Sequence, residues 1–511
     1  MLFAPESAPL AASYVTGCLV ALLCRQRPWR IARLTAGVAL GVTLFTPPLL
    51  WLLAPQWSPG PGLLIGLLVA LLGWVIIDYA SRYLHGEPGQ VRFVRAMLLT
   101  LAAVSVLIAS RHLLLIALAW STTSLGLHWL LTHYAERDAA QLAARKKFLA
   151  CRIADACLAG ALVLIYRVCD TLWLDALQLQ LAGMERLPLA LQVAAVLMAM
   201  AAILRSAQLP LHGWLIQVME APTPVSALLH AGVVNMGGYV LITLAALLSK
   251  APAALLLLGV VGSLTAVLAG SVMMTRASAK ESLAWSTCAQ MGFMLLEIGL
   301  GLYELALLHL LAHSVYKAHA FLSAGETVRK TLAQQYLSRS KANDGGLLSL
   351  LLTALVIGLV FWGWRQGYPA WQLPLPAGLI LVFGLAPLLW RQRGHGLASL
   401  VPGLLRVVVL CHLYLLWHWL FATMLPDSAP TSLGLIVWVT LCFSALYALQ
   451  TCVWMAPGLP WLGSLYPWFN NGFYLDETIT RLTFKLWPAA LAPKPSPTQT
   501  PPPHPLFGET S

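Results

Sequence analysis

Runs of about 20 consecutive apolar residues recur along the chain, the length an α-helix needs to cross the hydrocarbon of a bilayer. GLLIGLLVALLGWVII (62–77) and AALLLLGVVGSLTAVLAGSVMM (253–274) are two of them. With 59% hydrophobic and 10% charged residues and a mean hydropathy of +0.77, the chain reads as an all-α polytopic membrane protein. A soluble chain of this length would divide into two or three domains of alternating polar and apolar faces. Here the apolar runs are separated mainly by short loops, so one continuous helical bundle is expected. A spanning barrel would need segments of about 10 residues with alternating polarity, and these do not occur.

The net charge of +12 is spread over those loops, with no basic domain to grip a phosphate backbone. Membrane topology explains the charge better. The nine cysteines are scattered without a CxxC pair, so neither a disulfide framework nor a metal centre is expected within this chain. The N-terminus, MLFAPESAPLAASYVTGCLVALLCRQR, lacks the basic region of a cleavable signal and is expected to be retained.

Spans are predicted near 8–24, 34–53, 61–80, 93–109, 112–131, 149–167, 189–208, 226–248, 253–275, 282–301, 303–328, 346–364, 376–390, 403–424 and 432–455. That is about 15 transmembrane helices, within a range of about 13 to 16. Alternate loops hold the basic residues: Arg25, Arg27, Arg30, Arg33; Arg82, Arg92; Arg137, Arg145, Lys146, Lys147; Arg276, Lys280; Arg329, Lys330, Arg339, Lys341; Arg391, Arg393. The opposite loops carry Asp170, Asp175, Glu185 and Asp427. The positive-inside rule then places the N-terminus outside and the C-terminal segment in the cytoplasm. The organisation expected is N-terminal helices over 1–60, a core over 61–330, further spans over 331–455, a cytoplasmic segment over 456–488 and a disordered proline-rich tail over 489–511.

Ionisable residues interrupt this apolar pattern. In HLLAHSVYKAHAF (309–321), His309, His313 and Lys317 stand four apart, so they form one stripe on a helix. Such groups at bilayer depth are expensive unless they face one another or water, and imidazole titrates near neutrality, so the stripe suits a proton relay. In LRSAQLPLHGWLIQVMEAPTPVSALLHAGVVNMGGY (204–239), Pro210 breaks an apolar helix, flanked by Arg205 and His212, and His230 lies in the next one. A break of this kind survives in a membrane where the freed backbone lines a cavity. Arg152 and Asp155, one turn apart, form either a helix-end ion pair or part of the buried site. Glu297 is read as close to a membrane surface. No dinucleotide fingerprint, P-loop, metal quartet or nucleophile–base arrangement is present, so no catalytic site is expected within the chain itself.

AQLPLHGWLIQVMEAPTPVSALLHA (207–231), followed by ESLAWSTCAQMGFMLLEIGL (281–300) and LLHLLAHSVYKAHAFLSAGE (307–326), resembles the signature helices of the antiporter-like, proton-conducting subunits of respiratory complex I and Mrp cation/proton antiporters. The resemblance runs from about residue 70 to 330. It implies an antiporter-like bundle with broken helices and a polar axis that carries protons. By position, Arg205 stands for the family's broken-helix lysine, His230 for its next histidine, and His309, His313 and Lys317 for its central relay. Asp155 matches an acidic residue that follows an arginine.

Three departures stand out. Ser121 follows Trp120 where the family has a glutamate. Arg205 replaces a lysine, and guanidinium does not release its proton; a fixed charge paired with Asp155 is expected, leaving titration to the histidines and Lys317. The later broken helix is not recognisable, although Arg406, His412 and His418 put polar groups in a late span. No counterpart is expected for the lateral helix of the complex I subunit.

THYAERDAAQLAARKKF (132–148) and NGFYLDETITRLTF (471–484) resemble the shorter DabB family, membrane subunits of a two-component inorganic carbon accumulation system. That resemblance implies a bacterial inner membrane location and a large cytoplasmic DabA-like partner with a zinc site like that of a β-carbonic anhydrase. Inward cation flow would drive CO2 hydration there, and no cofactor is expected in this chain. The competing readings are a subunit of a respiratory NADH-quinone oxidoreductase, an Mrp-type antiporter subunit and an inert membrane scaffold.

Overall fold

The computed structural model describes residues 2–54, 56, 60–325, 343–344, 346–368, 375–392, 400–421, 432–456 and 458–488. The expected tail over 489–511, the basic residues Arg329, Lys330, Arg339, Lys341 and Arg393, and Asp427 lie outside the described residues.

The described residues are nearly all helical. The N-terminal part comprises α1 (Ala8–Leu23), α2 (Pro28–Leu53), α3 (Pro61–Tyr83), α4 (Gln90–Ala109), α5 (Leu113–Leu131), α6 (Asp138–Cys169), α7 (Leu174–Ala182) and α8 (Leu189–Arg205). The broken central part follows: α9 (Gly213–Gln217), α10 (Thr223–Ala231), α11 (Met236–Thr243) and α12 (Ala245–Leu248). Then come α13 (Pro252–Met273), α14 (Ala279–Gly299), α15 (Tyr303–Leu322), α16 (Gly346–Gly367), α17 (Leu375–Leu385), α18 (Val401–Phe421), α19 (Leu433–Met455), α20 (Pro460–Asn470) and α21 (Leu475–Leu486). A two-residue antiparallel pair, β1 (Asn343–Asp344) with β2 (Arg391–Gln392), is the sheet structure among the described residues. Prolines open α2, α3, α13 and α20, where the missing N–H would have no intrahelical partner anyway.

Helical structure falls within each of the fifteen expected segments, and among the described residues ten helices are long and apolar enough to cross a membrane. The chain is a multi-pass membrane protein. Two expectations about local structure are corrected. The segment expected as one span over 226–248 is α10, a 3-10 turn over Val233–Asn235, α11 and α12 in succession. Gly232 sits at the first break, where a Cβ would come within 2.9 Å of the Leu228 carbonyl oxygen. The loop expected around Arg145, Lys146 and Lys147 is already helix, because α6 begins at Asp138 and runs for 32 residues.

The break expected at Pro210 is present: α8 stops at Arg205, and Ala207 adopts a left-handed φ of 51° before α9 starts. Neighbouring helices satisfy the backbone released there. The Leu209 N–H donates to Thr265 Oγ1 at 3.3 Å, and Cys288 Sγ donates to the Ala207 carbonyl at 3.2 Å. Behind it, α13 and α14 approach backbone to backbone. A Cβ on Gly262 would meet the Gly292 carbonyl oxygen at 2.5 Å, and one on Gly299 would meet the Gly259 nitrogen at 2.4 Å. Small residues let membrane helices pack this closely.

The C-terminal spans lie against one flank of this core. Leu435 and Val439 of α19 and Ile380 of α17 pack on Leu296 and Leu300, while Trp438 donates to Ser263 Oγ at 2.9 Å. α21 turns back across α6.

Candidate functional site

Two buried polar clusters lie in the core. The first is organised by Arg205 at the end of α8, where the broken helix leaves carbonyl groups and side chains free to converge. Its guanidinium donates to the Trp120 carbonyl at 2.7 Å and to Ser121 Oγ at 3.2 Å, and pairs with Asp155 of α6. Its Cζ lies 4.6 Å from the centroid of the Trp120 ring. The Ser121 hydroxyl donates to Asp155 Oδ1 at 2.6 Å, and Arg152 pairs with Oδ2 at 2.7 Å. Asp155 therefore joins the buried site rather than a helix end, since it lies in the middle of α6. The expected Arg205–Asp155 pair is present, and Ser121 hydrogen-bonds both partners.

The second cluster is built by α10, α14 and α15. His313 and Lys317 are buried along α15 and His309 is nearly so, on one face as their spacing predicts. His309 Nδ1 lies 2.9 Å from Glu297 Oε2, and the His309 and His313 ring centroids are 6.0 Å apart. Glu297 is corrected from a surface residue to one that is 1% exposed, because α14 turns it toward α15 rather than toward the bilayer surface. Lys317 donates to the Leu283 carbonyl at 2.9 Å and to the Ser286 hydroxyl. His230 of α10 is fully buried, its ring stacked 4.4 Å from that of Phe321, one turn beyond Lys317. Asn235 Nδ2 donates to Ser314 Oγ at 2.8 Å and so ties the second break to α15.

Among the described residues, neither ring nitrogen of His230 or His313 has a hydrogen-bond partner. Buried polar atoms left open in this way are positions where bridging water belongs. A neutral imidazole can accept a proton at one nitrogen and release it from the other, and the Glu297–His309 contact can exchange one directly. The arrangement is suited to moving protons between fixed groups.

The three late-span candidates divide. His418 of α18 pairs inward with Glu304 of α15. Arg406 and His412 do not: both are exposed on the outer face of α18, where His412 Nδ1 bonds the Val408 carbonyl of its own helix at 2.9 Å. The apolar stripe of α18, through Val407, Cys411 and Leu415, packs inward and leaves these two outside. His212 is buried beside Trp285, with ring centroids 4.8 Å apart.

Sequence reasoning missed five participants. Lys146 and Lys147 looked like cytoplasmic loop charges, yet both are 4% exposed. Lys146 Nζ lies 2.8 Å from both carboxylate oxygens of Asp476, which α21 brings from the far end of the chain. Gln217 Nε2 also donates to Asp476, at 3.2 Å, and the carboxylate lies over Gly213, where a Cβ would come within 1.5 Å of it. Glu304 had no partner visible in the sequence. Among the described residues no group of three His, Cys, Asp or Glu side chains is placed to hold a metal ion.

Residues 109–370 match the NADH:quinone oxidoreductase/Mrp antiporter membrane family. The probable inorganic carbon transporter subunit DabB of Hydrogenovibrio crunogenus is 38% identical over 491 residues, covering 91% of this chain and 92% of that one. The chain belongs to the DabB group of that family. The probable inorganic carbon transporter subunit DabB2 of Halothiobacillus neapolitanus is likewise 38% identical, over 87% of this chain and 83% of its own. Among solved structures, the Mrp complex from Dietzia sp. DQ12-45-1b superimposes with a TM-score of 0.57 at 23% identity, over 94% of this chain and 56% of that chain. The structural likeness extends the shared fold across the C-terminal spans of this family member.

Proposed function

We propose that this chain is the ion-conducting membrane subunit of an energy-coupled inorganic carbon transporter in a bacterial inner membrane, with protons as the ion. The observation that carries the conducting role is the buried series Glu297, His309, His313, His230 and Lys317, in which two imidazoles keep both nitrogens open. Nitrogen donors and a lysine make a poor cage for sodium and a good relay for protons. The Arg205–Asp155–Ser121 cluster acts as a fixed charge that sets the electrostatics of the relay. The reading includes about 15 spans with the N-terminus outside and α20 and α21 on the cytoplasmic side.

The carbon chemistry belongs to a partner: a large cytoplasmic DabA-like subunit with a zinc site of the β-carbonic-anhydrase kind. Cations flowing inward through this chain drive that site to hydrate CO2, which traps bicarbonate. Cytoplasmic basic loops and residues 456–488 are the proposed docking surface. Similarity to carbon transporter subunits over nearly the full length of both chains favours this over a respiratory or Mrp-type subunit. A scaffold reading is disfavoured because buried ionisable residues are costly in lipid and serve no anchoring purpose.

Purification from native membranes in mild detergent, with mass spectrometry and zinc analysis of whatever remains bound, tests the proposal. A large zinc-bearing partner near one-to-one supports it. Flavin or iron–sulfur subunits in its place would sink the carbon assignment.

A further inference from the structure

The first cluster holds a lysine that the relay above does not use. Lys147 points from α6 into a cavity of about 20 Å³ lined by Trp120, Ser124, Cys151, Arg205 and Trp214. That is room for about one water molecule. Its ammonium is held by long contacts: 3.2 Å from Ser124 Oγ, 3.4 Å from the Ser124 carbonyl, 3.9 Å from Cys151 Sγ and 5.9 Å from the centroid of the Trp214 ring. Among the described residues lining the cavity none is acidic, and Lys147 forms no ion pair.

Its neighbour is the control. Lys146, one position away on the same helix, is neutralised by Asp476, while Lys147 shares its cavity with the fixed cation Arg205. Facing Lys147 are Cys151 and Arg152 of α6, His128 of α5 and Arg205 of α8. Two positive groups in one small apolar cavity without an anion between them make a poor structural contact. They make a workable arrangement if one charge comes and goes. Arg205 cannot be that one, since guanidinium keeps its proton and here is fixed by Trp120, Ser121 and Asp155. A primary amine on a flexible stem can.

We propose that Lys147 is the proton-carrying group of the first cluster, supplying from α6 the titratable amine that Arg205 cannot provide. The amine takes up one proton from the side of Lys146 and Asp476, whose carboxylate is partly exposed, and releases it through the cavity toward the second cluster. The inference rests on the proton-conducting reading above.

The test uses the full chain with its bound subunits, reconstituted into liposomes holding a pH-sensitive dye and driven by a potassium diffusion potential. Wild type, Lys147→Arg and Lys147→Met are compared at equal amounts of intact complex, judged by gel filtration. The expected result is proton uptake by wild type and at least about a tenfold loss in both variants. Lys147→Arg decides most, because it keeps the charge and the donors and withholds only the proton. Wild-type rates in either variant overturn the proposal. Failure of both variants to assemble also counts against it, because the side chain would then be a structural anchor. If wild type conducts no protons, the conducting reading itself fails, a result distinct from any variant effect.

Discussion

Two membrane segments of similar hydropathy have opposite fates in this molecule. Thr223–Thr243 is almost wholly buried, whereas little of the more apolar Gly346–Gly367 is. The more hydrophobic segment is the more exposed, and the contrast holds more widely. The core packs its helices around Lys147, Arg205, His230, Glu297, His313 and Lys317, while the buried polar residues of α16 are only Ser349 and Thr353. In water the apolar segment would go inside. In a bilayer the lipid is as apolar as leucine, so burial there is decided by close packing and by the need of polar groups for one another.

Breaking the core axis should have the largest effect. Lys317→Ala or His313→Ala is expected to abolish coupled inorganic carbon uptake, by about a hundredfold or more, while the complex still assembles on gel filtration. Wild-type uptake in both variants would remove the relay from the mechanism. Asp155→Ala leaves the Arg205 guanidinium in the interior without its carboxylate, and about 3 kcal/mol of stability should go with it. A thermal melt of the purified protein would read this as a lower midpoint; an unchanged midpoint would mean that Ser121 and the Trp120 carbonyl suffice.

Packing gives a matched pair of intermediate size. Gly292→Ala brings a methyl group within 2.7 Å of the Ala266 nitrogen and the Gly262 carbonyl oxygen, while Gly358→Ala in α16 meets nothing within 4 Å. The first should lower stability by about 1–3 kcal/mol and the second should leave the melt unchanged. Equal effects would erase the distinction between the two regions. The smallest effect is expected on the outer face of α18: Arg406→Leu and His412→Leu should alter uptake less than about twofold. A large loss would show that this face is covered in the working complex.

Much of the fold was legible in the sequence. Helix length and hydropathy located the apolar helical segments, ten of them among the described residues long enough to span, and Pro210 marked the first break. The central stripe was also legible, because residues four apart on one helix must share a face whatever surrounds it. What depended on neighbours was not. Lys146 and Lys147 follow Arg145 in a run that reads as a basic loop, and only the start of α6 at Asp138 and its rotation against α5 turn them inward. Glu304 and His418 are far apart in sequence, and so are Lys146 and Asp476, and nothing local connects them. Arg406 and His412 failed for the opposite reason, since polarity in a late span says nothing about which side of the helix faces the core.

The sequence by itself determined that this chain is a helical membrane bundle, and which residues of α15 align; its antiporter-like kind was read from the resemblance of its motifs. The bundle and the stripe have a simpler origin in local properties: transfer of side chains into lipid and the 3.6-residue turn. Only the tertiary structure decided which charges meet. A buried ionisable group is stabilised by partners on other helices, and no rule of spacing along one helix can supply them.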